Sequence, residues 1–325
     1  MPFGLAWHTV VLFFGLAAFA PTRLGDLLPH PSPIRDYAAA VARVNALQTR
    51  EDSIVALGGE SILLTHGHRT PRVVVLFHGL TDSPLQYAPL AQRLFEEGDN
   101  VFVPRLPHHA ERTGNVAAIA RLTAQELRDV GDQSVDIAEG LGDTIIVSGL
   151  SAGGNVAAWV GQYRAEVERV VVVAPALEVT HVPSLLHGAV LRLALRAPNV
   201  TRASPRDSME PDREPGWATH AVAQTLKLGV AVRDAAARHP AAVRQLTVLL
   251  NAHDHTIANG AAIDLAKRWQ QRGATTTVYM LPDTLRLPHD VIDPRHPGSN
   301  VGAVYPVVDA LIAGKRPPSY VAEIR

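Results

Sequence analysis

The sequence predicts an α/β protein: a mostly parallel sheet flanked by helices, with an inserted helical cap. From about residue 60 onward, short runs rich in Val, Ile and Leu alternate with longer stretches of helical periodicity. Several of these runs are apolar throughout, as strands are when helices cover both faces of a sheet. One interval of about seventy residues interrupts the alternation, and a compact domain rarely carries a structureless loop of that length.

The expected strands are residues 61–64, 73–77, 101–103, 144–148, 170–173, 246–250 and 276–280. Between and after them lie the expected helices 84–97, with Pro84 in its first turn, then 123–140, 152–164, 257–272 and 300–313. The long interval holds two further helical patterns, 181–196 and 217–239, joined by a charged, Pro-containing connector. It reads as a cap over the sheet edge where ligands bind in such folds. In its first helix Leu185, Leu186, Ala189, Val190, Leu193 and Ala194 recur at helical spacing, so one stripe must face something apolar. That surface is either the ligand space that the cap would roof or the core helices. The expected organisation is an apolar amino-terminal segment and Pro-rich linker (1–33), a core in two parts (34–174 and 244–325) and the cap (175–243).

Composition narrows the function. The chain has 325 residues, 47% of them hydrophobic, enough for an ordinary globular core. Thirty basic residues balance thirty-one acidic ones and no basic block occurs, which argues against a nucleic-acid partner. The absence of cysteine excludes disulfides, Cys-ligated metals and a thiol nucleophile, leaving hydroxyl, carboxylate and imidazole chemistry. Residues 3–20 carry no charged side chain and are long enough to span most of a bilayer core. They fit an uncleaved membrane anchor, a cleaved export signal or a buried or surface-lying helix, and cytoplasmic residence is the alternative to the first two.

The strongest motif is Gly149-Leu150-Ser151-Ala152-Gly153, directly after an expected strand and directly before an expected helix. A G-x-S-x-G pentapeptide in that context forms a sharp strand-turn-helix elbow that exposes the serine, and the flanking glycines avoid collisions with neighbouring backbone. Serine alone is a poor nucleophile and needs a histidine base with a carboxylate to orient it. Asp254 follows the strand 246–250 and His289 follows the strand 276–280, so the carboxyl ends of parallel strands bring both to the edge that carries Ser151. Asp283 and Asp290 flank the histidine on its own loop and are the rival carboxylates. His253 and His255 bracket Asp254, but alternation points them away from it and no further carboxylate joins them, so no metal is expected. His66, His68, His108 and His109 read as solvated or hydrogen-bonded loop residues. Donors for an oxyanion would be the backbone N–H of Leu80, in the turn His78-Gly79-Leu80-Thr81, and that of Ala152, with His78 structural.

Together the segment 78–84, the elbow at 149–154, Asp254 and His289 resemble the α/β-hydrolase superfamily, in particular its capped lipase, carboxylesterase and serine-aminopeptidase-like branch. The resemblance covers about residues 60–315. It implies an eight-stranded sheet, a cap inserted after the sixth strand, no cofactor, and hydrolysis through an acyl-enzyme. One departure is Arg105-Leu106-Pro107-His108-His109, where relatives commonly carry a glycine-flanked histidine. The expected substrate is a small-molecule or lipid carboxylic ester. The same catalytic set serves amides, peptides, thioesters or acyl transfer, and the fold also occurs in non-catalytic binding proteins.

Overall fold

The computed structural model describes residues 26–113, 116–203, 213 and 216–324. The apolar segment 3–20 lies outside the described residues, and among them no helix is long and apolar enough to cross a membrane. The chain opens with helix α1 (Tyr37–Glu51), then strands β1 (Ile62–Leu64) and β2 (Thr70–Phe77), α2 (Ala88–Glu96), β3 (Asn100–Val103) and α3 (Ala124–Leu141). It continues through β4 (Gly142–Leu150), α4 (Ala152–Tyr163), β5 (Val167–Val173), α5 (Ser184–Ala194), β6 (Thr201–Ala203), β7 (Gly216–Ala218) and α6 (Thr219–Arg238). Last come β8 (Gln245–Asn251), α7 (Asn259–Gln271), β9 (Thr275–Leu281), α8 (Val301–Ile312) and β10 (Ala322–Ile324).

Eight strands form one sheet in the order β1-β3-β2-β4-β5-β8-β9-β10. β1 and β10 are antiparallel to their neighbours and the other pairings are parallel. The two-residue period of a strand divides the core between the sheet's faces. Val73, Val75, Phe77, Ile145, Val147, Val170, Val172, Leu246 and Val248 point into one layer, against Val44, Leu127, Trp159, Leu228 and Trp269 of α1, α3, α4, α6 and α7. Val74, Leu76, Ile146, Val171 and Leu249 point into the other, against Leu90, Leu94, Val304 and Leu311 of α2 and α8. Both faces being covered explains why these strands read as unbroken apolar runs.

Each expected strand is present, and the helix ends follow local chemistry. Thr123 caps α3 in a capping box: its hydroxyl accepts from Glu126 N–H while the Glu126 carboxylate accepts from Thr123 N–H. The helix expected over 84–97 divides into a 3-10 turn, Pro84–Tyr87, and α2, because Pro89 has no N–H to continue the ladder and sits instead in the first turn of a new helix. The pattern 217–239 begins as strand, since Trp217 pairs with Arg202 in a small hairpin of β6 and β7. Three of these elements were not expected: α1, which buries only Ala40, Val44 and Glu51, the exposed β6, and the three-residue β10.

The stretch 175–243, expected as one cap, divides by its packing. α6 buries ten residues and lies against α3, α4 and α7, within the helical layer on the sheet. α5 rests on α6 and buries only Leu191, leaving Leu185 93% exposed with Leu186 and Val190 also exposed. Of its apolar stripe, Leu185, Leu186 and Val190 are therefore not core packing, while Ala189, Leu193 and Ala194 are half-buried. Part of the expected linker is docked as well: Leu27 is buried, its carbonyl accepts from Trp159 Nε1 at 2.8 Å, and Ser32 N–H donates to Asp136 at 2.9 Å.

Candidate active site

The carboxyl ends of β4, β8 and β9 open on one edge of the sheet, and each sends one polar side chain to a common point. At the end of β4 the chain reverses into α4 through Ser151, whose φ of 57° and ψ of −113° lie where a β-carbon is rarely tolerated. Glycines make room for the reversal. A β-carbon on Gly149 would sit 2.2 Å from the carbonyl oxygen of Gly153, and one on Gly153 would sit 2.0 Å from that of Phe77. Although Ser151 stands at the N-cap position of α4, its hydroxyl makes no capping bond and turns outward instead. Ser151 Oγ lies 2.9 Å from His289 Nε2.

His289 Nδ1 lies 2.7 Å from Asp254 Oδ2. The other carboxylate oxygen of Asp254 accepts from the N–H groups of Thr256 at 2.8 Å and Ile257 at 3.1 Å, which leaves Oδ2 for the imidazole. Burial opposes the charge on Asp254, but the hydrogen bonds from His289, Thr256 and Ile257 outweigh it and hold the carboxyl below its usual range. A carboxylate so held fixes the proton of His289 on Nδ1 and leaves Nε2 free to accept from the serine. Asn251, at the end of β8, donates to the carbonyls of Leu287 and Pro288 at 3.0 Å each and so ties the histidine loop to the aspartate loop. Its only signal in the sequence is that of a polar residue ending an apolar strand.

The rival residues have other partners. Asp283 is exposed and pairs with His253 Nδ1 at 2.8 Å, and the His253 ring meets that of His255 edge-on. Asp290 is buried; its Oδ1 accepts from Ile292 and Asp293 N–H, and its Oδ2 accepts from Gln86. Among the described residues, Asp82, Asp290 and Asp293 are close enough to share an ion. Arg213 and Arg295 already supply counter-charge to them, so this donor set does not call for a metal.

The loop after β2 passes beside the serine: a β-carbon added to Gly79 would lie 4.0 Å from Ser151 Cβ. Two buried histidines hold this loop. His78 Nε2 accepts from Leu106 N–H at 3.0 Å, so its Nδ1 carries the proton and donates to Gly79 O at 2.9 Å. His109, from the loop after β3, lies with Nε2 2.6 Å from Leu80 O and Nδ1 2.9 Å from Pro107 O, and its ring packs edge-on against His78. Burial pushes the His78 imidazole well below its ordinary value, with the nearby His109 adding to it, and pushes His109 down to about 4.

A pH-dependent stability follows from His109. In the unfolded chain the imidazole gains a proton below about pH 6.5, whereas in the folded protein it does so only below about 4. Unfolding therefore takes up a proton between these values, and stability present above pH 6.5 is lost as pH falls through the window, by about 3 kcal/mol in full. Urea unfolding at pH 7, 5.5 and 4 is expected to show a smaller loss in His109→Gln than in the wild type. Equal losses would contradict the assignment.

The fold is that of an α/β hydrolase, and the chain is a serine hydrolase. It belongs to the family described as serine aminopeptidase, S33, which matches residues 68–280, a span that holds Ser151 and Asp254 and stops short of His289. No curated protein sequence matches the chain. Similar solved structures include one from a study of LipS and LipT, two metagenome-derived lipolytic enzymes, at 18% identity and TM-score 0.58, covering 80% of this chain and 99% of that one. A monoacylglycerol lipase from Paleococcus ferrophilus is similar at 14% identity and TM-score 0.52, covering 78% and 98%. A soluble variant of monoglyceride lipase from Saccharomyces cerevisiae is similar at 9% identity and TM-score 0.54, covering 78% and 91%. At these identities the likeness is one of fold.

Proposed function

We propose that the protein hydrolyses carboxylic esters through a Ser151–His289–Asp254 triad. The observation that carries this is the continuous hydrogen-bonded chain from Ser151 Oγ through both nitrogens of His289 to Asp254, at 2.9 and 2.7 Å, assembled from three loops at one sheet edge. Ser151 Oγ attacks the ester carbonyl while His289 Nε2 takes its proton, and Asp254 stabilises the imidazolium that forms. The oxyanion is held by the N–H groups of Leu80 and Ala152, the second at the amino end of α4, where the helix dipole favours negative charge. His289 then gives its proton to the departing alkoxide, and the alcohol leaves an acyl-enzyme. A water attacks that acyl group with His289 again as base, which frees the carboxylic acid and restores Ser151.

Two kinds of neighbour bear on the substrate. The family's description is of an aminopeptidase, whereas the similar structures named above are lipolytic or monoglyceride-cleaving enzymes. An ester needs less help than an amide because its leaving group is better, and the exposed apolar residues of α5 suit a medium or long acyl chain better than a charged peptide amino terminus. The test is turnover of p-nitrophenyl esters from acetyl to dodecanoyl beside aminoacyl p-nitroanilides. Ester turnover with only trace release from the anilides is expected. The reverse ranking would overturn the ester reading in favour of the aminopeptidase one.

A further inference from the structure

Beneath the oxyanion loop and the histidine loop lies a buried polar network that the reaction as written does not use. Asp82 stands two residues beyond Leu80, Asp290 directly follows His289, and Asp293 lies three further on. All three are buried. Gln86 joins the two loops: its Oε1 accepts from Gly79 N–H at 2.8 Å, and its Nε2 donates to Asp82 Oδ2 and Asp290 Oδ2 at 3.0 Å each. Two carboxylates meeting on one amide nitrogen in a dry site repel each other strongly. Arg213, which precedes β7, answers that repulsion. Its Nε and Nη2 donate to the two oxygens of Asp82 at 3.0 Å each, and Nη2 lies 3.4 Å from Asp290 and 3.9 Å from Asp293. Arg295 pairs with Asp293 at 2.7 Å and reaches Asp82 only at 4.0 Å.

We infer that Arg213 is a positioning residue for the hydrolysis proposed above, setting the oxyanion loop through Asp82 and Gln86. The inference rests on that functional reading. Without the guanidinium only Arg295, 4.0 Å from Asp82, is left against the repulsion of Asp82 and Asp290, in a site where burial and Asp290 already push the Asp82 carboxyl well above its ordinary range. The two carboxyls separate or one of them takes a proton, and in either case the Gln86 amide, which they orient, turns. Its other end holds Gly79 N–H, one residue before the Leu80 donor. An error there is felt where negative charge develops on the carbonyl oxygen, and much less in binding the neutral ester, so turnover falls while KM holds.

The test compares wild type, Arg213→Ala, Arg213→Lys and the double variant Arg213→Ala/Asp82→Asn on one p-nitrophenyl ester, with affinity for an alkylboronic acid, which forms a tetrahedral adduct on an active serine, as the second readout. Outright loss of an oxyanion donor costs about 100- to 1,000-fold in kcat, so misaiming one is expected to cost about 10- to 100-fold, with a parallel loss of boronate affinity and KM changed by no more than about 3-fold. Arg213→Lys should recover part of the loss. The double variant should also recover part, since a side-chain amide in place of the Asp82 carboxylate can still accept from Gln86 while one of the opposed charges is gone. If Arg213→Ala does not fold, Arg213→Lys and Arg213→Gln are judged by the same split. Unchanged kcat and boronate affinity in the folded variants would overturn the inference while leaving the triad intact, as would a loss that Asp82→Asn does not relieve. An inert wild-type enzyme whose Ser151 resists a fluorophosphonate would instead overturn the functional reading, and this inference with it.

Discussion

Ser151→Ala and His289→Ala are each expected to lower kcat for an ester by about 10⁵- to 10⁶-fold, with Asp254→Ala milder at about 10⁴-fold. Removing the serine removes the atom that forms the acyl bond, and removing His289 leaves a neutral hydroxyl with no acceptor for its proton. Asp254 touches no reacting atom. It fixes the Nδ1–H tautomer of the imidazole and offsets the positive charge that forms there, and this gives it the smaller share. The three losses should not add, because the residues act as one unit, so Ser151→Ala/His289→Ala should be no worse than the poorer single variant. Ser151→Ala and His289→Ala should fold normally, since Ser151 makes no capping bond and His289 is partly exposed, whereas Asp254→Ala also removes the acceptor for Thr256 and Ile257 N–H and should lower stability. Steady-state rates on the best p-nitrophenyl ester, with circular dichroism as the control for folding, check the ranking. Single losses below about 10-fold would be incompatible with the proposed chemistry.

The second large effect is on stability. Gly153→Ala is expected to cost more than about 4 kcal/mol, in the range where soluble protein is lost. The new β-carbon would meet backbone atoms, Phe77 O at 2.0 Å, Phe77 C at 2.4 Å and His78 O at 2.6 Å, and none of these can yield as the tip of a flexible side chain can. Relief would require α4 to move away from β2, which would pull the serine elbow away from the loop that follows β2. Gly260→Ala is the matched control. Nothing lies within 4 Å of that position, which opens α7, and it is expected to be neutral or slightly stabilising. Thermal unfolding and soluble yield distinguish the two, and a Gly153→Ala protein as stable as Gly260→Ala would contradict the close packing at the elbow.

What could be read from the sequence was what depends on local pattern. β2, β4, β5 and β8 were legible because the central runs of strands buried on both faces are apolar, and these β-branched runs have no polar beat to confuse with a helix. Ser151, Asp254 and His289 were legible because each lies in the loop after a parallel strand, where such a sheet gathers its loops, and Ser151 and Asp254 both lie within hydrogen-bond distance of His289. β7 carries a helical pattern in the sequence because its pairing with β6 is set by a partner fifteen residues away and not by its own composition. The long interval places α6 in the cap by sequence, but a stripe of small residues, Ala221, Ala231, Ala235 and Ala236, lets it lie in the helical layer. The network of Asp82, Gln86, Asp290 and Arg213 carried no sequence signal. Its contacts span 131 and 204 positions, and only the folded chain brings these residues together.

The proposed chemistry stands or falls on Ser151 being an activated nucleophile. Incubating the full-length protein with a fluorophosphonate and mapping the adduct by peptide mass spectrometry tests it most directly, because an unactivated serine does not attack the phosphorus at a useful rate. The expected result is one adduct per chain, on Ser151, abolished in Ser151→Ala and His289→Ala and slowed in Asp254→Ala. A folded wild-type protein that takes no label, or takes it on another residue, would contradict the assignment of Ser151, His289 and Asp254 as a catalytic triad.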